Sequence, residues 1–342
     1  LPVFLPDGVK NIKTESESGM STKDSLLLHL KTHPGSWVSG ESISRDHAVS
    51  RSAVWKQIRR LREEGYTIES STKKGYRLLE SPDLLLPQEI RDGLETRVFG
   101  KNEIHHFIET DSTNIRAREL AEKGAPEGTL VLAEKQTGGR GRKGRNWHSP
   151  PRGGIYVSLI LRPALSPAES PKITLLTAVA LADALTSISP LEFRIKWPND
   201  LLIHGKKIAG ILTEMTTEMD RVGYIVVGLG LNVNTRHFPA SIAKTATSLC
   251  LEAGEMFSRV QLLRVFLTHF EERYTSFIHQ GFEPVLNRWK DLSDIIGKPI
   301  RVDMIDGALV GTVQDVDADG VLLLKDDAGN IHRIFSGDVI LT

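Results

Sequence analysis

Between two apolar, strand-like runs, residues 129–134 and 155–161, the chain carries Gly138-Gly139-Arg140-Gly141-Arg142-Lys143-Gly144-Arg145-Asn146-Trp147. No other stretch constrains the fold as much. Its glycines let the backbone turn and bring N–H groups against a ligand. Arg140, Arg142, Lys143 and Arg145 add cations, and an arginine can grip a phosphate with two donors at once. An RGG-like nucleic-acid segment has a similar composition, but such a tract lies in disorder, whereas strands this strong set the loop inside a folded domain. The loop lacks the Gly-Lys-[Ser/Thr] ending of a Walker motif. It also lacks the third-glycine spacing and acidic partner of a dinucleotide fingerprint. It describes a flexible anion-binding loop hung between two strands.

From about residue 96 to 292 the surrounding pattern mixes helix and strand. Residues 129–134, 155–161, 193–197, 208–215 and 224–232 are β-rich. Residues 175–188 form a small-residue apolar helix suited to lie flat on a sheet, and 259–278 a longer one with Leu263, Phe266, Phe270, Tyr274 and Phe277 on its inner face. Without a regular strand–helix rhythm, a mixed sheet is expected rather than a doubly wound parallel one. Polar clusters mark several strand and helix ends. Asp111-Ser112-Thr113-Asn114 precedes a helix at 115–123 and offers more side chains than one N-cap uses. Lys196-Trp197-Pro198-Asn199-Asp200 is good turn chemistry, and Gly205-Lys206-Lys207 could be a solvated hairpin. Gly228-Leu229-Gly230-Leu231-Asn232 breaks a strand with glycines, as close backbone approach requires.

The flanks differ in character. In residues 23–80, Leu26, Leu27 and Leu30 sit at helical spacing until Pro34-Gly35, and a short helix follows at 40–47. Ser50 caps a third helix whose Val54, Ile58 and Leu61 make one buried stripe. Strands at 66–70 and 75–79 flank the basic tip Ser71-Thr72-Lys73-Lys74. Over residues 51–77 eight cations meet three anions, a local charge of +5 in a chain whose 43 Lys+Arg balance 43 Asp+Glu. The balance excludes attraction to nucleic acid or membrane by bulk charge, but not a local patch. Helix, turn, basic helix and basic hairpin make the winged helix-turn-helix pattern. Ser50, Arg51, Ser52, Lys56, Arg59 and Arg60 are then candidates for DNA contact from the helix, and Lys73 and Lys74 from the wing. The alternative is a solvated basic face or a protein-docking module. After residue 298, five short strands with turns at Asp306-Gly307, Asp319-Gly320 and Gly329-Asn330 suggest a small SH3-like barrel. No apolar run approaches the roughly 18 residues of a membrane span. Cys250, the single cysteine, excludes a disulfide framework and fits a reducing, cytoplasmic setting.

In chain order, Ser112-Thr113-Asn114, Gln136 with Gly139-Arg140-Gly141-Arg142 and Trp147, Lys196 to Asp200, Lys207-Ile208-Ala209-Gly210-Ile211 and Gly228 to Asn232 resemble the successive motifs of biotin protein ligases. The resemblance runs from about Lys23 to the C-terminus. It includes the winged helix that only the bifunctional members carry, which also act as the biotin-operon repressor. It implies an α+β multidomain chain. Residues 1–22 would be a tag, linker or disordered tail and 23–80 a winged helix-turn-helix. Residues 81–293 would form a biotin/ATP-binding domain on a mixed, class II synthetase-like sheet, and 294–342 an SH3-like domain.

The resemblance also implies the chemistry. Biotin's carboxylate attacks the α-phosphate of ATP, giving biotinyl-5′-adenylate and pyrophosphate; a lysine of a biotin carboxyl carrier domain then takes the biotinyl group and releases AMP. On that analogy Ser112, Thr113, Asn114, Gln136 and the loop residues Gly139, Arg140, Gly141 and Arg142 hold biotin. Arg142, Lys143, Arg145, Trp147, Asn199 and Asn232 hold the nucleotide. Lys207 reaches the biotin carboxylate and the α-phosphate, and Asp200 steers the incoming amine; Lys207, Arg142 and Asp200 form the catalytic set. Mg²⁺, operator DNA and a ligand-promoted homodimer complete the expected partners. A lipoate-type ligase, or a biotin-sensing repressor without ligase activity, is the competing expectation.

Overall fold

The computed structural model describes residues 22–218, 221–304 and 307–341. The expectations for residues 1–21 and for Asp306 lie outside the described residues. The chain forms two compact units, Leu1–Pro82 and Asp83–Thr342.

In the first unit, α1 (Thr22–Lys31), α2 (Gly40–Asp46) and α3 (Arg51–Glu63) precede a hairpin of β1 (Thr67–Ser71) and β2 (Gly75–Glu80). The hydroxyls of Ser39 and Ser50 accept from the backbone N–H groups of Ser42 and Ala53 and so start α2 and α3. The apolar stripes are buried: Leu26, Leu27 and Leu30 on α1, Ile43 on α2, and Val54, Ile58 and Leu61 on α3. Val38 bridges Tyr76 through two backbone hydrogen bonds of 2.8 Å each, adding a third edge to the hairpin. Gly75 makes this possible, because a Cβ there would lie 2.1 Å from the Val38 carbonyl oxygen. This is the winged helix-turn-helix expected from the pattern.

The second unit contains α4 (Pro87–Arg91), β3 (Ile104–Phe107), α5 (Thr113–Glu122), β4 (Leu130–Ala133), β5 (Gly154–Leu161) and α6 (Ser170–Ile188). It continues through β6 (Arg194–Lys196), β7 (Asp200–Ile203), β8 (Lys206–Glu218), β9 (Arg221–Asn232), α7 (Leu249–Ala253), α8 (Arg259–Gln280) and α9 (Glu283–Leu292). Seven strands form one sheet in the order β3-β4-β5-β9-β8-β7-β6, with β3–β4 parallel and the other neighbours antiparallel. The sheet is therefore mixed, as its irregular rhythm predicts. Helices α6, α8 and α9 contribute to a core in which Phe99, Phe270 and Tyr274 meet edge-on or stacked. The stretch Pro167–Ile188 is long and apolar enough, on average, to cross a membrane, although no unbroken apolar run marks it from sequence. Here it is a core helix: α6 is apolar around most of its circumference because it is packed on most sides.

Strands β10 (Pro299–Met304), β11 (Gly307–Val316), β12 (Leu322–Lys325), β13 (Ile331–Ile334) and β14 (Asp338–Leu341) pair antiparallel in the order β13-β12-β11-β10-β14. The last strand returns beside the first, the strand order of an SH3-like barrel. Ile300, Val302, Val313 and Leu322 join the core that α6 and α8 bury.

One polar knot is sealed into this core. Arg259, the first residue of α8, is fully buried and donates to Glu134 (2.9 Å), to Asp83 Oδ2 (3.0 Å), to the Gly154 carbonyl (3.1 Å) and to the Asp83 carbonyl. Glu134 also accepts from the Leu85 N–H and lies 3.2 Å from His106. Burial alone would raise the Glu134 carboxyl, but its bonds with His106, Arg259 and Leu85 hold it below the ordinary carboxylate range.

Candidate active site

A cavity of about 550 Å³ opens in the second unit, over strands β7, β8 and β9. One end is polar and closely wired. Gln136 Oε1 accepts from the Thr113 N–H at 2.9 Å and its hydroxyl at 3.2 Å, while Gln136 Nε2 donates to Ser149 Oγ at 2.9 Å. Asn114 reaches across to Gly228, where a Cβ would lie 2.0 Å from its Oδ1, so that strand position needs a glycine. The residues at the start of α5 do less capping than expected. Ser112 is the N-cap, yet its hydroxyl makes no capping bond; Asp111 Oδ1 accepts from the Ser112 N–H at 2.7 Å, and Thr113 and Asn114 turn into the cavity wall.

The floor is β8 against β9, with Gly210 opposite Gly230. The Trp147 ring lies on that pair, and a Cβ on Gly230 would meet it at 2.4 Å. Lys207 Nζ stands 5.3 Å from the Trp147 ring centroid and 2.6 Å from Asp200 Oδ1. The Lys207 backbone is pinned independently: its N–H donates to the Thr245 carbonyl at 2.7 Å and its carbonyl accepts from Thr247 at 2.9 Å.

The glycine-rich loop covers the other end. It folds on itself through Gly141 N–H to Arg145 O (2.7 Å) and Trp147 N–H to Gly139 O (2.8 Å). Arg142 donates to Asn199 Oδ1 at 3.1 Å and to Ser336 Oγ at 2.8 Å. Burial lowers the Arg142 pKa against the pull of Asp338 and Asp200, and a guanidinium remains charged regardless. Lys143 and Arg145 both pair with Asp338. Burial would raise the Asp338 carboxyl, but Lys143, Arg145 and Arg142 hold it below the usual range.

Of the residues singled out from sequence, Ser112, Thr113, Asn114, Gln136, Arg140, Gly141, Arg142, Arg145, Trp147, Asn199, Asp200, Lys207 and Asn232 line this one cavity. Gly139 does not; it is buried against the Trp147 carbonyl and Ser149. Lys143 points away, its Nζ on the Asp303 carbonyl at 2.9 Å. Residues that spacing did not suggest are Phe238, Ile242 and Thr245 on the wall, and Ser336 and Asp338 from the connection between β13 and β14 and the start of β14. Asp338→Ala is expected to loosen the loop. A partly exposed ion-pair set contributes on the order of 1 kcal/mol, so tryptic cleavage within residues 140–145 should accelerate about fivefold, as limited proteolysis would read.

In the first unit, Arg51, Trp55 and Arg59 repeat every fourth residue along an exposed stripe of α3, and Trp55 is 56% exposed, an aromatic the charge pattern does not flag. Arg51 pairs with Glu41 and Arg59 with Glu63 at 3.0 Å, both at the surface, where such pairs yield readily to a phosphate. Ser50 keeps its hydroxyl on the cap, with Ser52 Oγ 2.9 Å away. Lys56, Arg60 and Lys73 make no ion pair among the described residues, and Lys74 and Arg77 lie 5.7 and 4.8 Å from the Trp37 ring centroid.

Comparison with known proteins matches each part of the chain to a described family. Residues 106–232 match the Biotin/lipoate A/B protein ligase family, residues 22–77 an HTH domain, and residues 295–342 the Biotin protein ligase C terminal domain. The chain is 43% identical to the bifunctional ligase/repressor BirA of Bacillus subtilis, over 94% of this chain and 99% of that one. It is 32% identical to BirA of Escherichia coli, over 90% and 94%. Among solved structures, the biotin protein ligase of Aquifex aeolicus in complex with biotin and ATP superposes with a TM-score of 0.61 at 30% identity, covering 70% of this chain and 99% of that one.

Proposed function

We infer function from kinship and geometry together: the chain belongs to the biotin protein ligase family, in its bifunctional ligase/repressor branch. It is an ATP-dependent biotin ligase with a helix-turn-helix domain. The residue assignments that follow are our proposal. The observation that carries them is the order of groups along one cavity: a hydroxyl–amide wall, then Lys207, then a cationic loop. Biotin and ATP present the matching order of ureido head, carboxylate and phosphates.

In this reading the ureido head meets Ser112, Thr113, Asn114 and Gln136, whose groups can both donate and accept. Lys207 then holds the biotin carboxylate toward the α-phosphate. One carboxylate oxygen bonds to the α-phosphorus while the bond to pyrophosphate breaks, giving biotinyl-5′-AMP. Arg140, Arg142 and Arg145 screen an anion attacking a polyanion and stabilise charge gathering on the phosphate, while Lys143 holds the loop through Asp338. Trp147 packs beside the adenine, with Asn199 and Asn232 near the nucleotide. A lysine amine of a biotin carboxyl carrier domain then attacks the acyl carbon and AMP leaves. Asp200 orients that amine and takes its proton. Catalysis rests on positioning and charge rather than on a covalent enzyme intermediate.

Mg²⁺ belongs with the substrate in this scheme. Among the described residues no cluster of three acidic, His or Cys side chains could cage an ion, and the Asp200 and Asp338 carboxylates are already paired. Mg²⁺ bound mainly through substrate phosphates needs no such cage.

The repressor half follows the same logic. Arg51, Ser52, Lys56, Arg59 and Arg60 on α3 would enter a major groove of operator DNA, with Lys73 and Lys74 of the wing on phosphate. A ligand-promoted homodimer, built on the sheet around Gly228 to Asn234, would present two such helices to a palindrome. A cytoplasmic location suits both partners and the buried free thiol of Cys250. Replacing Lys73 and Lys74 together by alanine should weaken operator binding across sequences and lower the salt slope of log K by about 1.8, as gel shifts at several ionic strengths would show.

The ligase reading is tested by incubating the protein with labelled biotin, ATP and a carrier domain. Label should appear on one carrier lysine and be lost when that lysine is replaced. A carrier that stays unlabelled would sink the reading.

A further inference from the structure

Opposite its buried stripe of Val54, Ile58 and Leu61, helix α3 presents Arg51, Ser52, Trp55, Lys56, Arg59 and Arg60 to solvent. Five of these six side chains are cationic or carry a hydroxyl. Trp55 stands in their middle and is the one large apolar side chain exposed on the helix, at 56%. Among the described residues its indole N–H makes no hydrogen bond, and no cation lies over its ring. Arg51 and Arg59, one turn to either side, reach instead to Glu41 and Glu63.

The folding of α3 does not account for this tryptophan. Its helix propensity is lower than that of the lysines and arginines beside it. An apolar ring left largely in water gains little from burial. What the indole does offer is a kind of recognition that its neighbours lack. It has two broad apolar faces and a single N–H that can only donate. A backbone phosphate is met better by the cations around it, and such contacts carry no sequence information. Base edges in the major groove differ in the groups an indole can meet. Thymine shows a 5-methyl group next to the O4 acceptor. Cytosine has no methyl and puts an amino donor where O4 would be, setting donor against donor. The purines present acceptors but no methyl. Thymine alone gives the ring a carbon surface with an acceptor at its side.

We propose that Trp55 reads a thymine, its ring packed on the 5-methyl group, so that a T·A preference within the site covered by α3 comes from one apolar contact at the centre of a cationic face. The inference rests on the repressor reading above and assigns a base to one residue of the helix. The surrounding cations hold α3 against the backbone, and Trp55 adds selectivity without adding charge.

The test uses the full chain with biotin and ATP, and a duplex that the wild-type protein enriches from a random pool. In gel shifts each thymine of that duplex is replaced in turn by deoxyuridine, which removes the methyl group and nothing else. Replacement at the thymine Trp55 meets should weaken wild-type binding about fourfold, the effect of one methyl group no longer buried. Trp55→Ala should bind the unmodified duplex about tenfold more weakly, as for one mismatched base pair, and should not distinguish thymine from deoxyuridine at that position. Trp55→Phe should keep the distinction, because its ring retains an apolar face. Binding to a scrambled duplex, and the salt slope of log K, should be the same in all three proteins, since no charge changes. A wild-type protein indifferent to every deoxyuridine replacement would overturn the proposal. So would a Trp55→Ala protein that still senses the methyl group, or one that loses scrambled-duplex binding equally, which would make the ring a support for the helix. A wild-type protein that enriches no sequence would instead overturn the repressor reading, and this proposal with it.

Discussion

Lys207→Ala should lose biotin-dependent pyrophosphate release by a factor of about 10²–10³, the usual effect of removing one preorganised donor from developing charge. The loss belongs in kcat/KM for the first half-reaction. Fold should survive, because the side chain is 33% exposed and the surrounding architecture holds the Lys207 backbone, through Thr245 and Thr247, rather than its ammonium. The substitution leaves Asp200 Oδ1, a buried oxygen, without its 2.6 Å partner, but the side chain as a whole is 22% exposed and the shortened residue 207 opens space beside it. Synthetic biotinyl-5′-AMP supplied to the variant separates the two steps. Transfer from it to the carrier should be impaired far less than adenylation, since the mixed anhydride no longer needs Lys207 to screen a carboxylate. Equal loss in both steps would move Lys207 from adenylate formation to general organisation of the cavity.

The second large effect concerns stability. Arg259→Met should destabilise the unit Asp83–Thr342 by about 3–5 kcal/mol, the cost of stranding a buried charge by removing its partner. Glu134, 3% exposed, is the charge left behind, and urea unfolding followed by a probe in this unit reads the change. The pH dependence has a definite sign. In the wild-type protein the Glu134 carboxyl is held below its unfolded value, so its contribution is present above the ordinary carboxylate range and is lost as pH falls through the depressed value. Without Arg259 the burial that already pushes this carboxyl up is less opposed. Its folded value then rises, and the variant keeps less of the stability that the wild-type protein holds above the unfolded carboxylate range. The gap between the two proteins should therefore narrow toward pH 4–5 and widen toward neutrality. A gap that is independent of pH would show that the cost is packing alone.

The groups these experiments probe were not equally visible in the chain. Thr113, Gln136, Arg142, Asp200 and Lys207 stand out because each sits where a strand or helix begins or ends, amid glycine, proline or surplus polar residues that local structure does not need. Neighbouring strands then bring those ends to one place. The winged helix was visible for the same reason: a 3.6-residue stripe and an excess of charge are both local signals. Asp338 gives no such signal. It meets Lys143 across 195 positions, and in sequence it is one more acidic residue among many in the C-terminal strands. Arg259 reads as an ordinary helix-start residue, and only the fold brings Asp83 and Glu134 around it, 176 and 125 positions away. Ser158 lies in an apolar strand where a single serine looks incidental, yet its hydroxyl donates to Asn114 Oδ1 at 2.6 Å. Tertiary pairs of this kind have no period and no spacing, so they appear only once the sheet order is known.

The central claim is that one cavity joins a urea-binding wall to a phosphate-binding loop through Lys207. Its most direct measurement is pyrophosphate release from ATP by the wild-type protein, without any carrier, with biotin or lipoate as the carboxylic acid. Release that saturates with biotin, is absent with lipoate, and disappears in Lys207→Ala is the predicted result. Release that proceeds equally with lipoate, or that survives the loss of Lys207, would contradict it.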